Sequence, residues 1–445
     1  MDERTNDGNR RTMIALVAMV AFLATTAVHP LAATPRSAAL SDAAPGEVLG
    51  LAHEETFSLT GIEEKTIQLF EPFGVPEARY PVDRYLVRFR STDVDGSPAV
   101  IRGQLFVPRL SETAPNSTGP APATSGDTEK LPVFVFAAGT TGIAERCAPI
   151  LEVPDVNRWG WYLANMLAYA SQGYIVLFPE YLGFGDRHTP QRYFDSVAEA
   201  HVMLDAIRAV YRIFEQPDRL TYSRVRPSQT VFAAGYSQGG HAAHAAADLR
   251  PSYAPEVPLT GLIGFGQTNN VATLMREMAY YAPYIIYTYS RIHGIDQINP
   301  EDFLQERWMA TFEQDIYGLC VEEFQFHFPR DGAELFTPEF WRALTEGGME
   351  DRFPVMARVL AENYAGMSGH GIPTLVLHGD ADIIVSTAAQ TRFVQDLCNT
   401  GVPVEFVIMP GARHRDTRPA GFRRSVEWMR LIERGETPPN HCPVS

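Results

Sequence analysis

"GYSQGGHAAHAAA", residues 235–247, is the stretch on which the reading of the whole chain turns. It follows the apolar run "TVFAA" (230–234) and opens an alanine-rich segment of helical character. Ser237, between Gly235 and Gly239, makes a G-x-S-x-G pattern at a strand-to-helix junction, which fits a nucleophile elbow. The glycines have a steric job there. A sharp turn lifts the serine hydroxyl above the sheet edge, and bulkier neighbours would clash with the adjoining strand and helix. Short glycine motifs recur by chance, so the assignment of Ser237 depends on partners elsewhere.

The segments around it alternate. "LPVFVFAAG" (131–139) and "GYIVLFPEY" (173–181) read as buried strands, with a helix in "NRWGWYLANMLAYASQ" (157–172) between them. A long amphipathic helix in "SVAEAHVMLDAIRAVYRIF" (196–214) precedes the strand that delivers Ser237, and "LTGLIGFG" (259–266) follows the next helix. After an interruption the rhythm resumes with "IPTLVLHGD" (372–380), "VEFVIMP" (404–410) and a last helix in "GFRRSVEWMRLIERG" (421–435). Short apolar runs alternating with helices predict an α/β fold, a mostly parallel sheet with helices on both faces. Upstream, "RYLVRFRSTDVDG" (84–96) and "AVIRGQLFVP" (99–108) read as two strands joined by a turn, and residues 34 to about 78 as a surface wrap without strong periodicity. The Pro/Ser/Thr/Gly-rich stretch 111–130 is a loop, and its "NST" (116–118) matches a glycosylation acceptor.

The interruption, 268–369, is helix-rich and aromatic, with Tyr280, Tyr281, Tyr284, Tyr287 and Tyr289 in one short stretch. An insertion at the carboxyl ends of sheet strands emerges where such folds bind ligands. It is read as a helical cap between a first core part, 34–267, and a second, 370–445. Most of its tyrosines are expected to form the cap's own core.

Composition narrows the function classes. The 445-residue chain is 45% hydrophobic and 20% charged, with a net charge of −16, which argues against a nucleic-acid partner. "MDERTNDGNRR", then "TMIALVAMVAFLATTAV", then "HPLAAT" has the layout of a secretory signal peptide over residues 1–33, with Arg10 and Arg11 leaving room for a twin-arginine route. Export puts Cys147, Cys320, Cys398 and Cys442 in an oxidising compartment, where an even number implies disulfides. Their wide spacing speaks against a metal site, and three pairings are open.

A serine hydroxyl needs a base within reach, and the base an orienting acid. In this topology the chain order is serine, acid, histidine. Asp382 lies in "LHGDADIIV" (377–385) just past a strand end, where a loop can turn its carboxylate toward histidine; Asp380 is the runner-up and holds the loop. His414 follows the last strand on a glycine-containing loop, while His241 and His244 sit on the helix after Ser237 and are expected to pack, as is His378 at its strand end. Oxyanion donors are expected from the backbone N–H of Gln238 and from Thr140 or Thr141 in "GTTG".

Taken together, "GTTGIAERCAP", "GYIVLFPEYLGFG", "EAHVMLDAIRAV", "GYSQGGHAA" and "HGDADIIV" resemble the signature segments of the secretory lipase family, the fungal lipase A type and its bacterial relatives. The resemblance runs over roughly residues 80–430 in unbroken order. It implies an α/β-hydrolase fold with a cap inserted before the acid-bearing strand. It also implies cofactor-free hydrolysis of carboxylic esters, with Ser237, Asp382 and His414 as the triad. A disulfide between Cys147 and Cys320 is implied too, leaving Cys398 and Cys442 as the other pair. Glu180 stands where the family usually has Asp. Ester or lipid substrates, and transient lipid-interface contact through the cap, are the expected partners. A serine peptidase or amidase on the same fold, or a non-catalytic binding protein on this scaffold, are the competing readings. No propeller-like repeat of the kind some such peptidases carry precedes the core.

Overall fold

The computed structural model describes residues 43–110, 128–185, 189–221 and 224–443. The expected signal segment and the "NST" acceptor lie outside the described residues. Nine strands form one sheet: β1 (Val48–Phe57), β2 (Val82–Thr92), β3 (Pro98–Pro108), β4 (Glu129–Ala137), β5 (Ile175–Pro179), β6 (Val225–Tyr236), β7 (Leu259–Phe265), β8 (Thr374–Gly379) and β9 (Val404–Met409). Their order is β1-β2-β3-β5-β4-β6-β7-β8-β9. The β1–β2, β2–β3 and β3–β5 pairs are antiparallel and every pair from β5 onward is parallel. This is the α/β-hydrolase arrangement.

The parallel strands are apolar on both faces because helices cover both. The helix Ser196–Glu215 and the elbow helix Gln238–Tyr253 pack together on one side, while Leu59–Phe70, Tyr162–Ala170 and Thr417–Glu433 lie on the other. Val133, Phe134, Val135 and Phe136 of β4 are all fully buried, with the Phe134 ring stacked on Tyr169 at 4.3 Å. Each large apolar side chain so buried contributes about 1.5–3 kcal/mol.

Two local expectations need correction. Residues 48–70 form β1 and a helix rather than a featureless wrap. β1 is an edge strand whose "AHEET" stretch is exposed throughout, so it carries no alternating pattern to read. The helix is capped by Ser58, whose hydroxyl accepts from Gly61 N at 3.1 Å, and it buries Ile62, Thr66, Leu69 and Phe70 at helical spacing. The second correction is the helix expected from Asn157, which starts only at Tyr162. Trp161 turns left-handed (φ 47°), and the Glu152 carboxylate accepts from the N–H groups of Gly160, Trp161 and Tyr162 in place of a preceding turn.

Between β7 and β8 the chain runs through short helices from Val271 to Glu362. The five cap tyrosines are all buried, and several are spoken for: Tyr284 donates to Leu319 O, Tyr289 to Phe194 O and Tyr287 to Glu313. Cys147 is bonded to Cys320 and Cys398 to Cys442. The first bond ties the loop after β4 to the insertion between β7 and β8, 173 residues on; closing a loop of that size is worth about 5 kcal/mol in the chain-entropy picture.

Candidate active site

Ser237 sits between the end of β6 and the start of the elbow helix, as its N-cap, with φ 54° and ψ −115°, a strained basin for a side-chain-bearing residue. Steric room explains the flanking glycines. A Cβ on Gly235 would meet Gly239 O at 1.9 Å, and one on Gly239 would meet Ala137 O at 2.1 Å. The strained residue is pinned through its backbone, Ser237 N donating to Phe265 O at 2.9 Å and Thr268 N donating to Ser237 O at 3.2 Å.

Asp382 and His414 meet where β8 and β9 end. His414 Nδ1 donates to Asp382 Oδ2 at 2.7 Å, while Asp382 Oδ1 accepts from Ile384 N (2.8 Å) and Val385 N (3.0 Å). Burial pushes the Asp382 carboxyl up, but the His414 charge, the His414 hydrogen bond and the two backbone donors outweigh it and hold the group below the usual carboxylate range. Asp380 is turned away: it is exposed, and its Oδ1 accepts from Gly411 N at 2.6 Å, stapling the two loops. His378 is fully buried, with Nδ1 4.0 Å from Asp382, and burial pulls its imidazole down.

The serine and histidine converge on the turn after β7. A side chain on Gly266 would meet His414 Nδ1 at 3.2 Å, and Gly266 follows the residue that holds Ser237 N. The His414 ring also packs on Tyr236, the neighbour of Ser237, with centroids 4.9 Å apart. No hydrogen bond joins Ser237 Oγ to His414 Nε2 here; such contacts are often long before substrate binds. Both residues are nearly buried, at 7% and 8% exposure. Tyr280 and Tyr281, with rings 4.5 Å apart, are buried near the site, and Tyr280 is close enough for the Asp382 carboxylate to act on it.

Across from His414 lies the loop after β4. Thr140 Oγ1 bonds to Tyr193 OH at 2.7 Å, and Thr141 O accepts from the cap's Val321 N at 2.9 Å. Among the described residues, the backbone N–H groups of Gln238, Thr140 and Thr141 have no protein acceptor. Glycine is required beside them, since a Cβ on Gly139 would meet the Tyr236 ring at 2.6 Å.

Three features of the surroundings escaped sequence reasoning. Arg418 is a buried cation stacked on Tyr236 (4.4 Å) and Tyr162 (5.4 Å) and donating to Gly160 O. Glu199 lies fully buried beneath the elbow helix, bonded to Gln238 and His241. A cavity lined by Gln267, Thr268, Glu277, Val385, Gln390 and Phe393 sits behind the acid loop rather than over Ser237. Only Glu199 had a visible signal, an acid set between alanines on the buried face of an amphipathic helix.

The fold is that of an α/β-hydrolase. The secretory lipase family matches residues 162–438, and the chain belongs to that family. It is 25% identical over 332 residues to a secreted triacylglycerol lipase of Malassezia globosa, covering 70% of this chain and 67% of that one. The chain spans about half to two thirds of the length of the first such relatives. Similar solved structures include the rice cell wall degrading esterase LipA from Xanthomonas oryzae (TM-score 0.64, 18% identity, 87% of this chain and 97% of that one). Candida antarctica lipase A in its closed state is similar too (TM-score 0.63, 18% identity, 91% of this chain and 85% of that one).

Proposed function

We propose that the protein hydrolyses carboxylic esters through an acyl-enzyme on Ser237. Ser237 Oγ attacks the ester carbonyl while His414 Nε2 takes its proton, and Asp382 fixes the histidine tautomer and stabilises the imidazolium. The tetrahedral oxyanion is received by the Gln238 N–H and by the Thr140 or Thr141 N–H, donors with no acceptor among the described residues. His414 then protonates the departing alcohol, and water repeats the sequence on the acyl-enzyme. No step calls for a metal or cofactor.

The observation that carries this reading is the Asp382–His414 contact at 2.7 Å, delivered to the same strand ends as a strained serine. A non-catalytic scaffold would have no use for that strain. Family membership favours esters over amides as substrate, and the names of the matched relatives favour acylglycerols. The segment 268–369 acts as the cap. Phe326, 86% exposed on a cap helix, and Ile383, 66% exposed on the acid loop, suit transient contact with a lipid surface. Ser237→Ala is expected to stay folded and to lose about 10⁴-fold or more in kcat on a soluble p-nitrophenyl ester. Turnover near that of the unaltered protein in this variant would remove Ser237 from the mechanism, and a peptide amide cleaved faster than the ester would make the protein a peptidase.

A further inference from the structure

Directly beneath the proposed oxyanion donor lies a second carboxylate–histidine pair that the mechanism does not use. Glu199, in the first turn of the helix Ser196–Glu215, is 1% exposed and His241 is 0% exposed. Glu199 Oε2 contacts His241 Nδ1 at 2.6 Å, and Glu199 Oε1 accepts from Gln238 Nε2 at 2.7 Å and from Phe194 N at 3.2 Å. His241 Nε2 lies 2.9 Å from Asn363 O. A carbonyl only accepts, so Nε2 carries a proton and Nδ1 shares one with Glu199. The pair is therefore neutral overall. Burial pushes the Glu199 carboxyl up, with His241 opposing, and burial pulls the His241 imidazole down but is outweighed by Glu199.

What the pair holds is specific. Among the described residues three non-glycine residues have positive φ: Trp161, Phe194 and Ser237. Glu199 Oε1 binds the N–H of Phe194 and the side chain of Gln238, the residue after Ser237. The ψ of Ser237 sets the plane of the peptide whose nitrogen belongs to Gln238, so anchoring the Gln238 side chain keeps that peptide from relaxing out of its strained orientation. Phe194 adjoins Tyr193, whose hydroxyl bonds to Thr140 on the opposite donor loop. On its far side the pair reaches the end of the cap, where Asn363 O takes His241 and Asn363 Oδ1 takes Ser196 N at 2.7 Å.

We propose that Glu199 and His241 are positioning residues for oxyanion stabilisation: a neutral, hydrogen-bonded pair that orients the Gln238 N–H and ties it to the cap. This rests on the mechanism given above for Ser237 and Gln238. It also makes a distinctive demand on substitution. Gln at 199 can accept from Gln238 and Phe194 through its oxygen and donate to a neutral His241 through its amide, so the network survives; Leu at 199 breaks every bond.

The test compares Glu199→Gln with Glu199→Leu on one soluble p-nitrophenyl ester, after confirming that a phosphonate labels Ser237 in the unaltered protein. That control separates a failure of the mechanism from a failure of the positioning role. Glu199→Leu is expected to lose about 30–100-fold in kcat, as when one oxyanion donor is impaired, with KM within twofold. Its affinity for an alkyl boronic acid, a tetrahedral mimic, should fall by a similar factor. Glu199→Gln should keep at least a third of the kcat. Three results would overturn the proposal: a Leu variant with undiminished kcat, a Leu variant that loses thermal stability or raises KM with kcat unchanged, or a Gln variant as impaired as Leu. Should Glu199→Leu not fold, Gln238→Leu decides, with a loss of about tenfold in kcat expected and none contradicting.

Discussion

Among the described residues, two buried carboxylate–histidine hydrogen bonds are of nearly equal length, Asp382–His414 at 2.7 Å and Glu199–His241 at 2.6 Å. Each carboxylate also accepts two further hydrogen bonds from nitrogen donors. They differ at the other end of the ring. His241 Nε2 is committed to Asn363 O, whereas His414 Nε2 is bonded to no protein group among the described residues. A histidine with a spare nitrogen at a strand end can take and return a proton. One bonded at both nitrogens can only hold its neighbours. The carboxylates follow suit: Asp382 is held below its usual range, ready to face an imidazolium, while burial pushes Glu199 up.

Amide substitution should split the two pairs most widely. Asp382→Asn removes the charge that stabilises the imidazolium and favours the wrong tautomer, so kcat is expected to fall by up to about 10⁴ while the protein stays folded. Glu199→Gln should cost threefold or less, and Asp380→Asn, whose carboxylate only staples Gly411, a few-fold. Measuring kcat for all three on one ester, with thermal melts alongside, would break the comparison if Asp380→Asn or Glu199→Gln proved as crippled as Asp382→Asn.

A third buried carboxylate sharpens the contrast by lacking a histidine. Glu180 is fully buried against Arg102, whose Nε donates to it at 2.6 Å; burial pushes the carboxyl up to about 7, with Arg102 opposing. A carboxyl raised on folding stabilises most below its unfolded pKa, near 4.5, and loses that contribution as pH rises toward 7. Glu180→Gln should therefore shrink the loss of stability between pH 4.5 and pH 8 by on the order of 2–3 kcal/mol. Denaturation of both proteins at the two pH values checks this, and an unchanged difference would contradict it.

The order Ser237, Asp382, His414 could be read along the chain because each residue follows an apolar run that can only be a buried strand. Strand ends in such a sheet converge, so order along the chain became proximity in space. The distinction between Asp380 and Asp382 was readable for the same reason, two residues being enough to pass the strand end. The burial of Glu199 had a local signal, but its pairing with His241 did not, since nothing local says which buried acid faces which histidine across two helices. The edge strand Val48–Phe57 was hidden by its own exposure. Arg418 could not be foreseen beneath Tyr236, because its place depends on the helix Thr417–Glu433 packing against β6, β7 and β8.

Ser237 is the nucleophile of the acyl-transfer site we propose. Incubation with an alkyl p-nitrophenyl phosphonate, followed by intact mass and peptide mapping, tests it most directly. A single adduct on Ser237, forming in step with the loss of ester hydrolysis and absent from Ser237→Ala, is the expected result. An adduct on another residue, or full hydrolysis by a protein that carries the label on Ser237, would contradict it.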